Sequence, residues 1–148
     1  MRRQIQAWIV STTREAAWAP VLVFGLHVLA SRVFHAYVLL PSLDMPMHFL
    51  GGVATAFFFH RASLNASAVG LQGPLQSSTH RLLVFSLTGT TTAFWEFAEF
   101  ISDRYFGTHA QLGLQDTLSD MLVGIGGGLS LLVTLAVLAP SRSRVEGS

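Results

Sequence analysis

The chain reads as an all-α, polytopic membrane protein, a four-helix bundle forming a single integral-membrane domain over residues 1–148, and three observations carry that expectation. First, 51% of the residues are hydrophobic and only 11% are charged, with a mean hydropathy of +0.50. A soluble domain carries about 25% charged residues, and a chain with less than half of that could not cover a globule with a normally solvated surface. Second, four apolar stretches, at about 19–40, 46–64, 82–101 and 117–138, approach the ~20 residues that a helix needs to cross hydrocarbon. Third, basic residues flank those stretches, whereas the acidic ones fall within a narrower interval. The same composition excludes other classes. No lysine is present and the nine arginines are balanced by eight carboxylates, so the basic footprint of a nucleic-acid binder is missing. The lack of cysteine removes disulfides, thiolate metal sites and thiol catalysis.

Taken in order, the segment RRQIQAWIVSTTR either lies along the surface as a short amphipathic helix or frays as a terminus. Arg2 and Arg3 resemble the start of a signal peptide, but no short apolar run with a small-residue cleavage site follows, so the first span is expected to be retained as an anchor. That span opens with Trp18, an interfacial aromatic, and with Pro20, preorganised for a first helical turn. The second has Pro46 in its first turn, and the fourth closes on Pro140. Between the second and third, the Gly/Ser/Gln-rich stretch ASLNASAVGLQGPLQSST reads as a flexible connection. Arginines set the orientation. Arg2, Arg3, Arg14, Arg61, Arg81, Arg142 and Arg144 fall on one side of a four-span arrangement and Arg104 alone on the other, which assigns both termini to the cytoplasm. The Asn65-Ala66-Ser67 sequon would then face the wrong side for glycosylation.

Under this topology six of the eight acidic residues, Asp44, Glu96, Glu99, Asp103, Asp116 and Asp120, converge on the outer end of the bundle. Residues three and four apart share a helix face. The resulting stripes are Asp44, His48, Gly52 and Thr55; Thr88, Thr92, Glu96, Glu99 and Asp103; Asp116, Asp120, Gly124 and Gly128; and His27, Ser31 and His35 on the first span. Lipid rejects charge and glycine permits close backbone approach, so these faces are the natural interior. Asp44 and Asp116 also fit simple N-caps. Capping does not account for Glu96 or Asp120, which lie at depths where an unpaired charge costs ~2 to 3 kcal/mol or more. The GIGGG run fits small-residue helix packing better than a phosphate cradle, since it lies within a span and lacks lysine. Arg32 either snorkels or turns inward to a carboxylate, and His60, His80 and His109 read as ordinary interfacial or loop residues. Crowded carboxylates in a medium of reduced dielectric cannot all stay ionised, so protons are taken up or a cation binds. Oxygen donors with one or two imidazoles and no sulfur suit a divalent metal such as Mg2+, Ca2+, Mn2+, Fe2+ or Zn2+.

At these residues the sequence resembles a bacterial membrane family. DMPMHFLGG (Asp44 to Gly52), WEFAEF (Trp95 to Phe100) and LQDTLSDM (Leu114 to Met121) are similar, in order, to three segments of the YjdF-type inner-membrane proteins, and more loosely to VanZ-like proteins. The resemblance spans about Asp44 to Gly128 and implies a bacterial inner-membrane location. Through the VanZ-like group it also points to the cell envelope and its lipid carriers. The leading expectation is therefore a metal-binding membrane protein acting at the outer leaflet on an envelope lipid or lipid phosphate. Asp44, His48, Glu96, Glu99, Asp116 and Asp120 are its candidate ligands, and Glu96 or His48 its candidate general base. A proton- or cation-coupled transporter using the same cluster and a non-catalytic accessory subunit are the competing readings.

Overall fold

The computed structural model describes residues 1–139. Among these there are six α-helices and no strand: α1 (Arg2–Ala16), α2 (Trp18–Val28), α3 (Ala36–Leu39), α4 (Asp44–Ala68), α5 (Ser77–Phe106) and α6 (Leu114–Leu138). The all-helical expectation is met, while the stop signal at Pro140 and the basic Arg142 and Arg144 lie outside the described residues. The segment before Trp18 is helical rather than frayed, and Trp8 Nε1 anchors it by donating to the Ala62 carbonyl of α4 at 2.8 Å. Glu15 pairs with Arg61, and Asn65 donates to Thr12 Oγ1 and Glu15 Oε2 at 3.4 and 3.3 Å. The sequon asparagine is thereby buried.

The first expected span departs from a single helix. α1 and the stretch Trp18–Val33 meet at a 53° bend, next to Pro20, which lacks the N–H that would continue the ladder from α1. After α2 the chain widens into a π-helical turn at Leu29–Val33, and His35 adopts a left-handed conformation with φ 48°. The four-residue α3 follows, and a 3-10 turn at Pro41–Leu43 leads into α4. Leu40, immediately before Pro41, is held extended, the restriction that a proline places on its predecessor. The continuous helical part, Trp18–Val33, is only about 24 Å long at ~1.5 Å per residue. The expected connection between the second and third spans is also shorter, because α4 continues to Ala68. By length and apolarity alone, α6 is the one described helix that meets the requirement of a span, with the bent pair of α1 and Trp18–Val33 qualifying together. The long helices α4 and α5 carry too many polar residues to meet it.

Packing explains that polarity. Helices α4 and α6 run parallel, with His48 level with Asp120 and Gly52 level with Gly124, and α5 runs antiparallel against both. The α4–α6 seam is made by backbone. A Cβ added at Gly52 would fall on the Gly124 carbonyl, and one at Gly127 on the Phe49 carbonyl. Thr92 and Thr88 of α5 close over the remaining glycines, their Cγ2 atoms 2.6 and 2.7 Å from where a Cβ would sit at Gly124 and Gly128. The buried set is accordingly small or polar: Ala54, Ala56, Ala62, Ser63, Thr88, Glu96 and Asp120, with Val84 and Leu132 as the larger apolar members. Large apolar side chains such as Phe94, Phe97, Phe100, Leu122, Val133 and Val137 lie outside. That inversion of a soluble protein's distribution is what lipid-facing helices require, since hydrocarbon solvates Leu and Phe and leaves close contact and polar pairing to hold helices together.

The seam makes a sharp contrast between neighbouring glycines. Gly127→Ala sets a methyl against backbone that no rotamer change can relieve, and is expected to destabilise by about 3 kcal/mol or more, the upper end of overpacking costs. Gly126→Ala meets nothing within 4 Å and is expected to be neutral or to stabilise by up to ~1 kcal/mol, the propensity gain of alanine over glycine. Melting curves of the two variants in detergent compare them, and equal midpoints would contradict this packing.

Candidate functional site

Asp44 stands at the first position of α4 and His48 one turn later on the same face. Neither Asp44 nor Leu43 caps the helix through its side chain, so Asp44 is free for other work. Glu96 and Glu99 come from the last third of α5, and Asp120 lies one turn after Asp116 on α6. Their convergence centres on the His48 ring. Nε2 lies 3.5 Å from Asp44 Oδ1 and 3.9 Å from Asp120 Oδ2, and Nδ1 lies 3.8 Å from Glu96 Oε1. The separations to Glu96 and Asp120 are too long for hydrogen bonds, and the one to Asp44 is at the limit. The atoms instead surround shared space in two groupings, Asp44 with His48 and Asp120, and His48 with Glu96 and Glu99, each with its ligand atoms within 4.8 Å of one another.

Glu96 is 3% exposed and Asp120 2%. Glu96 Oε1 and Asp120 Oδ1 are buried without a hydrogen-bond partner. An orphaned buried polar atom costs ~1 to 3 kcal/mol, and more when charged, so two of them on carboxylates beside one imidazole mark a place where a proton, a water or a cation is needed. A divalent ion with bonds of ~2.1 Å separates neighbouring ligand atoms by ~3 to 3.5 Å, close to the spacings around Nε2. The donor set of carboxylate oxygens and one imidazole matches hard or borderline divalent metals.

The remaining partners orient this group. Trp95 Nε1 donates to Glu99 Oε1 at 2.7 Å, and the Trp95 indole is held edge-on by His27 and Phe24, with centroids 5.2 and 5.9 Å away. His27 Nδ1 lies 2.9 Å from the Tyr37 hydroxyl, so the bend at His35 folds Tyr37 back toward the site. Gln111, in the loop before α6, donates from Nε2 to the Glu96 carbonyl at 3.0 Å and to its Oε2 at 3.4 Å. Trp95 was discoverable from its four-residue spacing to Glu99, whereas Gln111 and Tyr37 carry no periodic signal.

Two of the clustered acids do other work. Asp116 accepts from the Leu112 N–H at 2.9 Å and lies outside both groupings. Asp103 gathers the α5–α6 loop, accepting from Thr108 Oγ1 and from the N–H groups of Ala110 and Gln111, the latter two at 2.9 Å. Arg32 is exposed and has no carboxylate within 4 Å among the described residues, as in the snorkelling alternative. Slight burial of Asp103 works to raise its pKa, but the donors from Ala110, Thr108 and Gln111 outweigh it and the carboxyl titrates below the usual range. A depressed folded pKa contributes order that is fully present above the unfolded value of ~3.9 and lost as pH falls through the lowered folded value. Residues 107–113 are therefore expected to lose protection against hydrogen exchange below about pH 4. In Asp103→Asn that protection should already be reduced at neutral pH. A loop equally protected in both proteins would remove Asp103 as its clasp.

No curated protein and no solved structure matches the chain. Residues 7–141 match the model of the family described as "Predicted membrane protein (DUF2238)", and the chain belongs to that family.

Proposed function

We propose that this is a multi-pass protein of the bacterial inner membrane, with four membrane-crossing segments and cytoplasmic termini. In this reading Asp44, His48 and Asp120 hold a divalent cation near the outer face, and the site acts on a phosphate-bearing envelope lipid. The observation that carries it is the buried convergence of carboxylates from α4, α5 and α6 on both nitrogens of His48, with Glu96 Oε1 and Asp120 Oδ1 otherwise unpartnered. His48 Nε2 is the ligand nitrogen. Glu96 Oε1 faces Nδ1, the position from which a carboxylate fixes the tautomer and orientation of a metal-bound imidazole. Glu99, held by Trp95, adds a further carboxylate on the Nδ1 side of the ring. The similarity of the Asp44, Trp95 and Leu114 segments to YjdF-type and VanZ-like proteins agrees with the location and the envelope substrate.

A relay through the bundle finds less support. Thr88 and Thr92, the polar side chains next inward on α5, both spend their hydroxyl protons on carbonyls of their own helix, Val84 and Gly89, at 2.8 Å. Below them Ala56, Val84 and Leu132 form a dry layer backed by Phe59 and Leu131.

Elemental analysis tests the cation. Protein extracted in mild detergent and equilibrated with Mg2+, Ca2+, Mn2+, Fe2+ and Zn2+ in turn is expected to retain about one equivalent of at least one of them. Asp120→Asn and His48→Gln should weaken that retention at least tenfold, as loss of even an outer-shell partner costs ~10- to 100-fold. Asp116→Asn, altering an acid already engaged with the Leu112 N–H, should leave it intact. Folded wild-type protein that retains none of the five ions overturns the proposal.

A further inference from the structure

A second polar site lies at the opposite end of the bundle. His60 is twelve residues, or ~18 Å of helix, along α4 from His48. His60 and His80, which by sequence resemble ordinary interfacial or loop residues, are joined: His60 Nδ1 lies 2.9 Å from His80 Nε2, and His80 Nδ1 lies 3.1 Å from Ser63 Oγ. Gln72 Nε2 donates to the Ser63 carbonyl at 3.0 Å and to Ser63 Oγ at 3.2 Å. An amide nitrogen only donates, so Ser63 Oγ accepts from Gln72. The Ser63–His80 and His80–His60 contacts each take one proton, in either order of donors. In both orders His60 Nε2 is left without a hydrogen-bond partner among the described residues. Burial, and after it the charge of Arg81, lower the His80 pKa.

Both imidazoles line a cleft of about 380 Å³ between the end of α4, the start of α5 and the end of α6. Its rim holds Ser67, Ser77 and Arg81, and its far wall is Leu132, Leu135 and Ala136. Among the described residues no carboxylate lines it. Arg81 uses Nε on the Ser77 carbonyl at 3.2 Å, which leaves the two terminal nitrogens of its guanidinium, and no acid lies within 4 Å of it among the described residues. The nearby Arg61, by contrast, is occupied by Glu15. An unpartnered imidazole nitrogen and an unpaired guanidinium beside a leucine wall, in a member of a membrane family, match one chemistry: an anionic head with an acyl chain attached. We propose that this cleft is a binding site for an anionic phospholipid, its phosphate on Arg81 and His60 and one acyl chain along Leu132 and Leu135. The site is separate from the cation cluster and does not depend on it.

Native mass spectrometry of the full chain in detergent, titrated with phosphatidylglycerol, phosphatidylcholine or inorganic phosphate, tests this. Phosphatidylglycerol is expected to bind with one preferred equivalent and phosphatidylcholine at least fivefold more weakly. Arg81→Gln should reduce phosphatidylglycerol affinity about fivefold, the effect of one basic residue at an anionic lipid surface. Ala136→Phe, which fills the exposed apolar wall, should reduce binding of both lipids. Arg14→Gln removes an exposed charge from outside the cleft and should change nothing, which separates this site from general surface attraction. Equal affinity for the two lipids, full competition by inorganic phosphate, or an unchanged Arg81→Gln each overturns the assignment.

Discussion

The contact of backbone with backbone between α4 and α6 is the constraint on which the rest depends. Because Gly52 and Gly127 have no Cβ, the two helices approach until carbonyls of one touch α-carbons of the other. A seam this close admits one register. With the helices parallel, stepping one turn outward from Gly52 and from Gly124 arrives at His48 and Asp120, so the glycine pairing by itself makes these two neighbours. The antiparallel α5 is registered by the same glycines, since Thr92 packs on Gly124 and one turn further on the same face stands Glu96. The site is thus the outward continuation of a packing motif, and its geometry is as rigid as the seam beneath it.

Such a seam suits a membrane. In water, helices of this kind would associate by burying Leu and Phe, and glycine faces would contribute little. Where lipid already solvates apolar side chains, close van der Waals contact and polar pairing remain as the forces between helices. The small interior and the leucine- and phenylalanine-rich exterior follow from that solvent, as does the gathering of four carboxylates around one histidine on the interior faces. α4 and α5 average as too polar for spans because each combines a face of exposed large apolar side chains with a face of buried small and polar ones.

This separates what was legible in the sequence from what was not. The stripes Asp44–His48–Gly52, Thr88–Thr92–Glu96–Glu99 and Asp120–Gly124–Gly128 are statements about helix period, and the three helices present those faces to one another. Features without a period stayed hidden. The bend at His35 comes from a π-helical turn and a left-handed residue inside a uniformly apolar run. Asp103 and Asp116 share the spacing of the clustered acids, yet their carboxylates turn to loop N–H groups, because a loop leaving a helix end supplies donors that the helix interior does not. Gln111 reaches Glu96 across fifteen residues, and His60 meets His80 across twenty, separations that no local pattern encodes.

The two ends of the bundle are chemically opposite and are kept apart. The His48 cluster is acidic, and the cleft at the far end is lined, among the described residues, by arginine and histidine without a carboxylate. Between them the glycine seam brings backbone against backbone, the hydroxyl protons of Thr88 and Thr92 go to carbonyls of their own helix, and Ala56, Val84 and Leu132 form an apolar layer. Neither threonine therefore has a proton free to link His48 with His60, although both histidines stand on one helix. What α4 can transmit is mechanical: a rigid rod seated against α6 couples the spacing of its two ends. Occupancy of one end is then felt at the other only to the extent that it shifts the seam, and that seam has no side chains with which to yield.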